Sequence, residues 1–169
     1  MSITVGILMG SKSDLETMKV AHETLDELGV SSELRILSAH RTPEEAGSYA
    51  RDAEGKGIKV LIAGAGLAAH LAGALVAQTT LPVIGVPLSA GTLGGLDSLL
   101  STVQMPPGLP VATVAIGGAR NAGILAAQII ALTDEALASR LREKRASMAE
   151  EVVRKSSKVE KSTRPVKKA

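Results

Sequence analysis

Five short runs of aliphatic and β-branched residues punctuate this chain, each separated from the next by a stretch with helical periodicity. That alternation constrains the fold more than any other feature. The runs are TVGILM (Thr4–Met9), ELRIL (Glu33–Leu37), KVLIA (Lys59–Ala63), PVIGV (Pro82–Val86) and VATVAI (Val111–Ile116). Between the first two, DLETMKVAHETLDEL sets Leu15, Met18, Leu25 and Leu28 on one helical face and ends at Gly29. PEEAGSYARDAEGKG, AAHLAGALVAQTT and GLDSLLSTVQM fill the next three gaps, and NAGILAAQIIAL follows the fifth run. Strands rejoined through helices run parallel, because a tight hairpin cannot return the chain to the same end of a sheet. The pattern predicts a parallel sheet covered by helices on both faces, of flavodoxin-like or Rossmann-like order. A further charged helix, TDEALASRLREKRASMAEEVVRK, is expected to pack on a neighbouring subunit or lie on the surface.

The 169 residues are enough for one core and imply one domain. Tyr49 is the only Tyr, Phe or Trp, so the core is built from aliphatic residues and stacking on a base or flavin has almost no means. Absence of cysteine removes disulfides, thiolate nucleophiles and thiolate-bound metals, and agrees with a reducing compartment. The opening MSITVGILMG has no basic n-region, and no apolar run approaches about 18 residues. A soluble cytoplasmic protein without a membrane partner is expected. The net charge of +2 conceals an asymmetry, because residues 1–151 carry 12 basic and 16 acidic groups while the remainder is strongly basic. The reading is a domain over 1–155 followed by a basic, disordered tail over 156–169, solvated and frayed rather than bound to nucleic acid.

Ligands of open parallel sheets bind beyond the carboxyl ends of the strands, where connections diverge. Three consecutive strand ends carry MGSKSD, SAHRTP and GAGLAAH, which the parallel arrangement gathers on one edge. MGSKSD offers hydroxyls and backbone N–H groups at a helix start, an anion site without the P-loop pattern. Asp14 either caps that helix or meets a sugar hydroxyl, and both readings stand. GAGLAA matches a dinucleotide fingerprint only weakly, since it follows the third strand and no acidic residue closes the next. Its glycines read as permitting close backbone approach to a small ligand.

Of three histidines, His22 sits among polar neighbours on the first helix and reads as a surface residue. His40 and His70 fall at adjacent strand ends but, without a carboxylate cluster, make a poor metal site. His40 reads either as a bond to the backbone of its own turn or, better, as a general acid/base, because imidazole titrates near neutrality. Arg41 offers bidentate recognition of a phosphate or carboxylate, against the alternative of a surface ion pair with Glu44 or Glu45.

Taken in order, MGSKSD, SAHRTPEE, AGAGLAAHLAG, LPVIGVPL, GLDSLLSTVQMPPGLPVATVAIG and NAGILAAQI resemble the bacterial PurE family, the N5-carboxyaminoimidazole ribonucleotide mutases of de novo purine synthesis. The similarity runs from Ile3 to the helix end near Lys155. It implies a three-layer α/β/α fold, here a flavodoxin-like doubly wound sheet of five parallel strands with a C-terminal helix. It also implies a homo-octamer with sites at subunit interfaces, and no metal, biotin, ATP or other cofactor. By resemblance, Ser11, Ser38 and Arg41 hold the ribose phosphate and Asp14 the ribose. The backbone of Gly66 and Ala68 and the side chain of His70 line the base and carboxylate pocket, and His40 is the acid/base. Two departures are Ala72, where the family often has proline, and a shortened IGGARNAG connection; the first is expected to loosen the start of its helix, the second to change a subunit contact. The alternatives are a carboxylase using free CO2 and a non-catalytic ribonucleotide-binding protein, the latter having no need of His40.

Overall fold

The computed structural model describes residues 3–163, with side chains over 3–160. Its elements are β1 (Val5–Met9), α1 (Leu15–Glu27), β2 (Ser32–Ile36), α2 (Pro43–Asp52), β3 (Val60–Gly66), α3 (Leu71–Val76), β4 (Val83–Leu88), α4 (Leu96–Val103), β5 (Ala112–Thr113), α5 (Ala119–Ala131) and α6 (Glu135–Thr163). All strand pairs are parallel, in the order β2-β1-β3-β4-β5. This is the flavodoxin-like order, with the direction of winding reversing between β1 and β3.

Strand alternation divides the core in two. Val5, Ile7, Met9, Val60, Ile62, Ile84 and Val86 point to the face covered by α1 and α5, whereas Leu8, Leu61, Ala63 and Val83 join the cluster with α2 and α3. Nearly all are fully buried, as strands enclosed by helices on both faces require. On the second face Tyr49 packs over Gly6, and its hydroxyl donates to Glu33 Oε1 at 2.9 Å. Burial and this bond push the Tyr49 hydroxyl well above its ordinary range.

Helices α1 and α5 approach closely because α5 presents Ala119, Ala122, Gly123, Ala126 and Ala127. A Cβ added to Gly123 would lie 2.9 Å from the Ala21 carbonyl oxygen, a backbone atom unable to turn aside. Gly123→Val is therefore expected to force the helices apart and to cost about 1–3 kcal/mol. A thermal melt checks this, and an unchanged Tm would show that the pair can slide at no cost.

The predicted fifth strand shrinks to two residues in the ladder. It lies at an edge, and its one neighbour carries Pro87, which has no N–H to donate. Only Val114 N–H to Gly85 O and Gly117 N–H to Pro87 O continue the approach, at 3.0 and 2.8 Å. Ala72 does not abolish its helix: α3 starts at Leu71, and Ala72 is buried.

Helix α4 is inverted relative to its composition. Ser98 and Thr102 are buried, while Leu96, Leu100 and Val103 are 52%, 48% and 47% exposed. The helix comes close to the sheet at this point, since Thr102 fills the space a side chain on Gly85 would occupy. The buried hydroxyls are satisfied locally, Ser98 Oγ donating to Leu88 O and Thr102 Oγ1 to Ser98 O, at 2.8 and 2.7 Å.

Helix α6 begins with Asp134, whose Oδ1 accepts from Leu137 N at 2.9 Å. It packs on α5 with Leu137 buried, and is tied to the end of α1 by Arg140 Nε donating to Leu28 O at 2.9 Å and by Lys144 Nζ on Glu27 at 2.6 Å. The Lys144 ammonium holds the Glu27 carboxyl below the usual carboxylate range. So the helix lies on its own chain at its start. The helix passes through Lys155, where the sequence reading ended the domain, and continues to Thr163. Residues 164–169 of the expected tail lie outside the described residues. Side chains over 156–160 are exposed, so deletion of 156–169 is expected to leave Tm and turnover unchanged. Loss of either in the truncated protein would mean that this stretch supports an interface.

Candidate active site

Parallel strands deliver their carboxyl ends to one edge, and the connections after β1, β2, β3 and β4 meet there around a cleft of about 370 Å³. Ser11, Asp14, Ser38, His40, Arg41, Gly66, Ala68 and His70 all line it. Every site residue expected from the sequence is thus brought to one cavity.

The β1 connection is a single tight turn over Lys12–Asp14. Ser11 Oγ accepts from Ser13 N at 3.4 Å, and Ser13 Oγ donates to Asp14 Oδ1 at 3.2 Å. Asp14 occupies the residue before α1, yet its carboxylate makes no capping bond to that helix. Of the two readings of Asp14, its carboxylate is spent on Ser13 and the cleft rather than on the α1 backbone.

The β2 connection places the arginine. Arg41 Nη2 donates to Gly10 O at 2.6 Å, and its Nε reaches Ser38 Oγ at 3.4 Å. The guanidinium therefore bridges the ends of β1 and β2. No ion pair with Glu44 or Glu45 forms among the described residues. Two N–H groups are engaged out of the five a guanidinium carries, leaving donors for an anion.

The histidines meet across the cleft. His40 Nε2 lies 2.8 Å from His70 Nδ1, with the rings edge-on at 4.9 Å between centroids and 89° between planes. A bond between two ring nitrogens needs one to carry hydrogen and the other a lone pair, so the two rings must face each other in complementary roles. Both rings are solvent-exposed on the cleft side. His40 is thus not spent on the backbone of its own turn. His22 lies elsewhere, its Nδ1 2.7 Å from Ser32 Oγ at the start of β2, a structural tie.

Sequence reasoning missed the fourth wall. Ala90, after β4, lines the cleft, as do Gly10, Ser13, Ala39, Leu67 and Leu71. Leu67 has φ +56, the left-handed conformation that costs a non-glycine residue roughly 1–2 kcal/mol. It is 53% exposed at the rim and packs over Gly91 of the β4 connection. Such strain is characteristic of ligand-binding edges.

The family model described as AIR carboxylase matches residues 4–151. The N5-carboxyaminoimidazole ribonucleotide mutase of Thermotoga maritima is 54% identical over 156 residues, covering 92% of this chain and 91% of that protein. The Bacillus subtilis protein of the same name is 58% identical over 154 residues, covering 90% and 95%. The chloroplastic phosphoribosylaminoimidazole carboxylase of Vigna aconitifolia is 51% identical over 160 residues, which are 95% of this chain but 29% of that protein. The crystal structure of Treponema denticola PurE has a TM-score of 0.84 to this chain at 31% identity, covering 92% and 97%. With the model spanning nearly the whole domain and relatives above half identity over most of their length, this chain belongs to the AIR carboxylase (PurE) family.

Proposed function

We infer that the protein is an N5-carboxyaminoimidazole ribonucleotide mutase, an isomerase of purine biosynthesis that moves a carboxylate from N5 to C4 of the imidazole to give 4-carboxy-5-aminoimidazole ribonucleotide. The observation that carries this reading is the hydrogen-bonded His40–His70 pair beside the Arg41–Ser38 group, in a cleft of nucleotide size. One end of the cleft binds an anion and the other moves a proton.

In the proposed scheme Ser11, Ser38 and Arg41 hold the phosphate and Asp14 the ribose, with Gly66, Ala68 and His70 against the base and carboxylate. The N5–carboxylate bond breaks to release CO2 while protonated His40 supplies a proton to N5. C4 then attacks the trapped CO2, and neutral His40 removes the C4 proton to restore the aromatic ring. The proton given is the proton regained, so the cycle needs no cofactor. CO2 must not escape between the two steps, which requires a closed pocket.

That requirement bears on assembly. Of the small residues at the start of α3, Ala69 is buried and Gly73 half-buried, while Ala68 and Ala74 remain exposed; the alanines of α5 are buried within the chain. Beside Leu132 after α5 and Met148, Val152 and Val153 of α6, exposed apolar surface gathers on α4 and the connection before it, where Leu93 is 61% exposed a few residues beyond Ala90. A cytoplasmic homo-octamer with this face buried between subunits would close the open side of the cleft.

The test supplies aminoimidazole ribonucleotide and bicarbonate in one tube and the N5-carboxylated substrate in another, without ATP, while particle mass is measured in solution. Conversion of the second substrate by an octamer is expected. Efficient carboxylation in the first tube with none of the second substrate consumed would identify a carboxylase, the activity named for the Vigna relative. A fully active monomer would overturn the assembly.

A further inference from the structure

We infer that Thr42 is the positioning residue of this site, fixing the arc that carries Ser38, His40 and Arg41. Thr42 directly precedes α2, where a threonine hydroxyl normally accepts from the first turn of the helix. It makes no such bond. Its Oγ1 turns back instead, accepting from Ser38 N at 2.8 Å and donating to Ser38 O at 3.2 Å. The Thr42 N–H also donates to Ser38 O, at 2.9 Å. One residue thus engages both backbone groups of Ser38 and closes Ser38 to Thr42 into a ring.

The ring has a consequence for what it encloses. Arg41 has an anchor of its own in Gly10 O, at 2.6 Å. Among the described residues His40 has none in the backbone, and its side chain meets only the His70 ring. Loss of the Thr42 hydroxyl should therefore release His40 more than Arg41, and a displacement of about 1 Å in a reacting group can cost on the order of 10²-fold in rate. The forgone helix cap points the same way, since a hydroxyl retained only for stability would cap α2. This inference rests on the mutase reading for its kinetic effect but not for its geometry.

Thr42→Val replaces the hydroxyl by a methyl group of similar size, Thr42→Ser keeps the oxygen, and Thr42→Ala leaves room for water at Ser38 N. For Thr42→Val, kcat is expected to fall between about 10- and 100-fold with KM within about threefold of wild type. Thr42→Ser should stay within about threefold of wild type in both. In parallel, nitrogen-detected NMR of the imidazoles reads the hydrogen bond between His40 and His70, in a chain with only three histidines. Thr42→Val should lose that signature and Thr42→Ser keep it. Wild-type kcat and histidine spectra in Thr42→Val, or a serine variant as impaired as valine, would overturn the inference. Should the valine protein fail to fold, as circular dichroism would report, Thr42→Ala decides by the same two measurements. An inactive wild type would defeat the mutase reading alone, leaving the histidine spectra to judge Thr42.

Discussion

Replacement of His40 by asparagine is expected to lower kcat at least about 10²-fold while leaving ribonucleotide affinity within about tenfold. Asparagine keeps a polar group but cannot take and return a proton near neutral pH. The anion-binding end of the cleft remains intact, because Arg41 is held by Gly10 O and Ser38 Oγ rather than by His40. The effect should therefore fall on turnover, not on binding. The residual rate should also lose the wild-type pH dependence if the titrating base has gone. His70 faces the same cleft, and its Nδ1 is the group left without its partner at 2.8 Å. A His40→Asn protein that turns over near the wild-type rate would make His40 structural and remove the proposed proton path.

The order of the sheet was readable because alternation of strand and helix leaves few ways to wind a parallel sheet, and those ways gather the loops at one edge. That gathering needs no side-chain detail. Ser11, Asp14, Ser38, His40, Arg41 and His70 could be assigned to one cleft from strand ends alone, and they line it. Other features carry no such signature. Ala90 is a small apolar residue whose importance comes only from where β4 ends. Leu67 gives no sign in its side chain that its backbone is left-handed. Thr42 looks like a helix cap, and only the coordinates reveal that its hydroxyl points away from the helix.

Which helices keep apolar surface exposed is hidden for a related reason. Apolarity of α3 and α5 is legible, but what covers them is a tertiary fact: Leu71, Ala72, Leu75 and Val76 of α3, like the alanines of α5, are buried within the chain. In α4 the pattern runs the other way, because Thr102 fits above Gly85 while Leu96, Leu100 and Val103 are turned outward. Exposed apolar surface of this kind on a helix is what a second subunit would cover in the proposed octamer.

Replacement of Arg41 by alanine is expected to weaken binding of the phosphorylated substrate by about 1.5–3 kcal/mol, the range of a charge-assisted contact. That corresponds to roughly 10- to 150-fold in Kd. The geometry makes the loss specific. The guanidinium bridges Gly10 O and Ser38 Oγ, so it stands between the two loops whose hydroxyls, on Ser11 and Ser38, face the same cleft. The substitution removes the one cationic side chain lining that cavity among the described residues, the histidines aside. No glutamate is left unpaired, since Arg41 makes no ion pair, and the fold should be little changed. Arg41→Lys should recover only part of the affinity, because an ammonium replaces a planar fork by a point charge. Calorimetry with the ribonucleotide and with its dephosphorylated nucleoside separates a phosphate contact from general damage. The Arg41→Ala protein should lose affinity for the first and bind the second as the wild type does. Equal affinity of mutant and wild type for the ribonucleotide would remove Arg41 from the phosphate site. An equal loss for both ligands would instead assign its role to holding the β1 and β2 loops together.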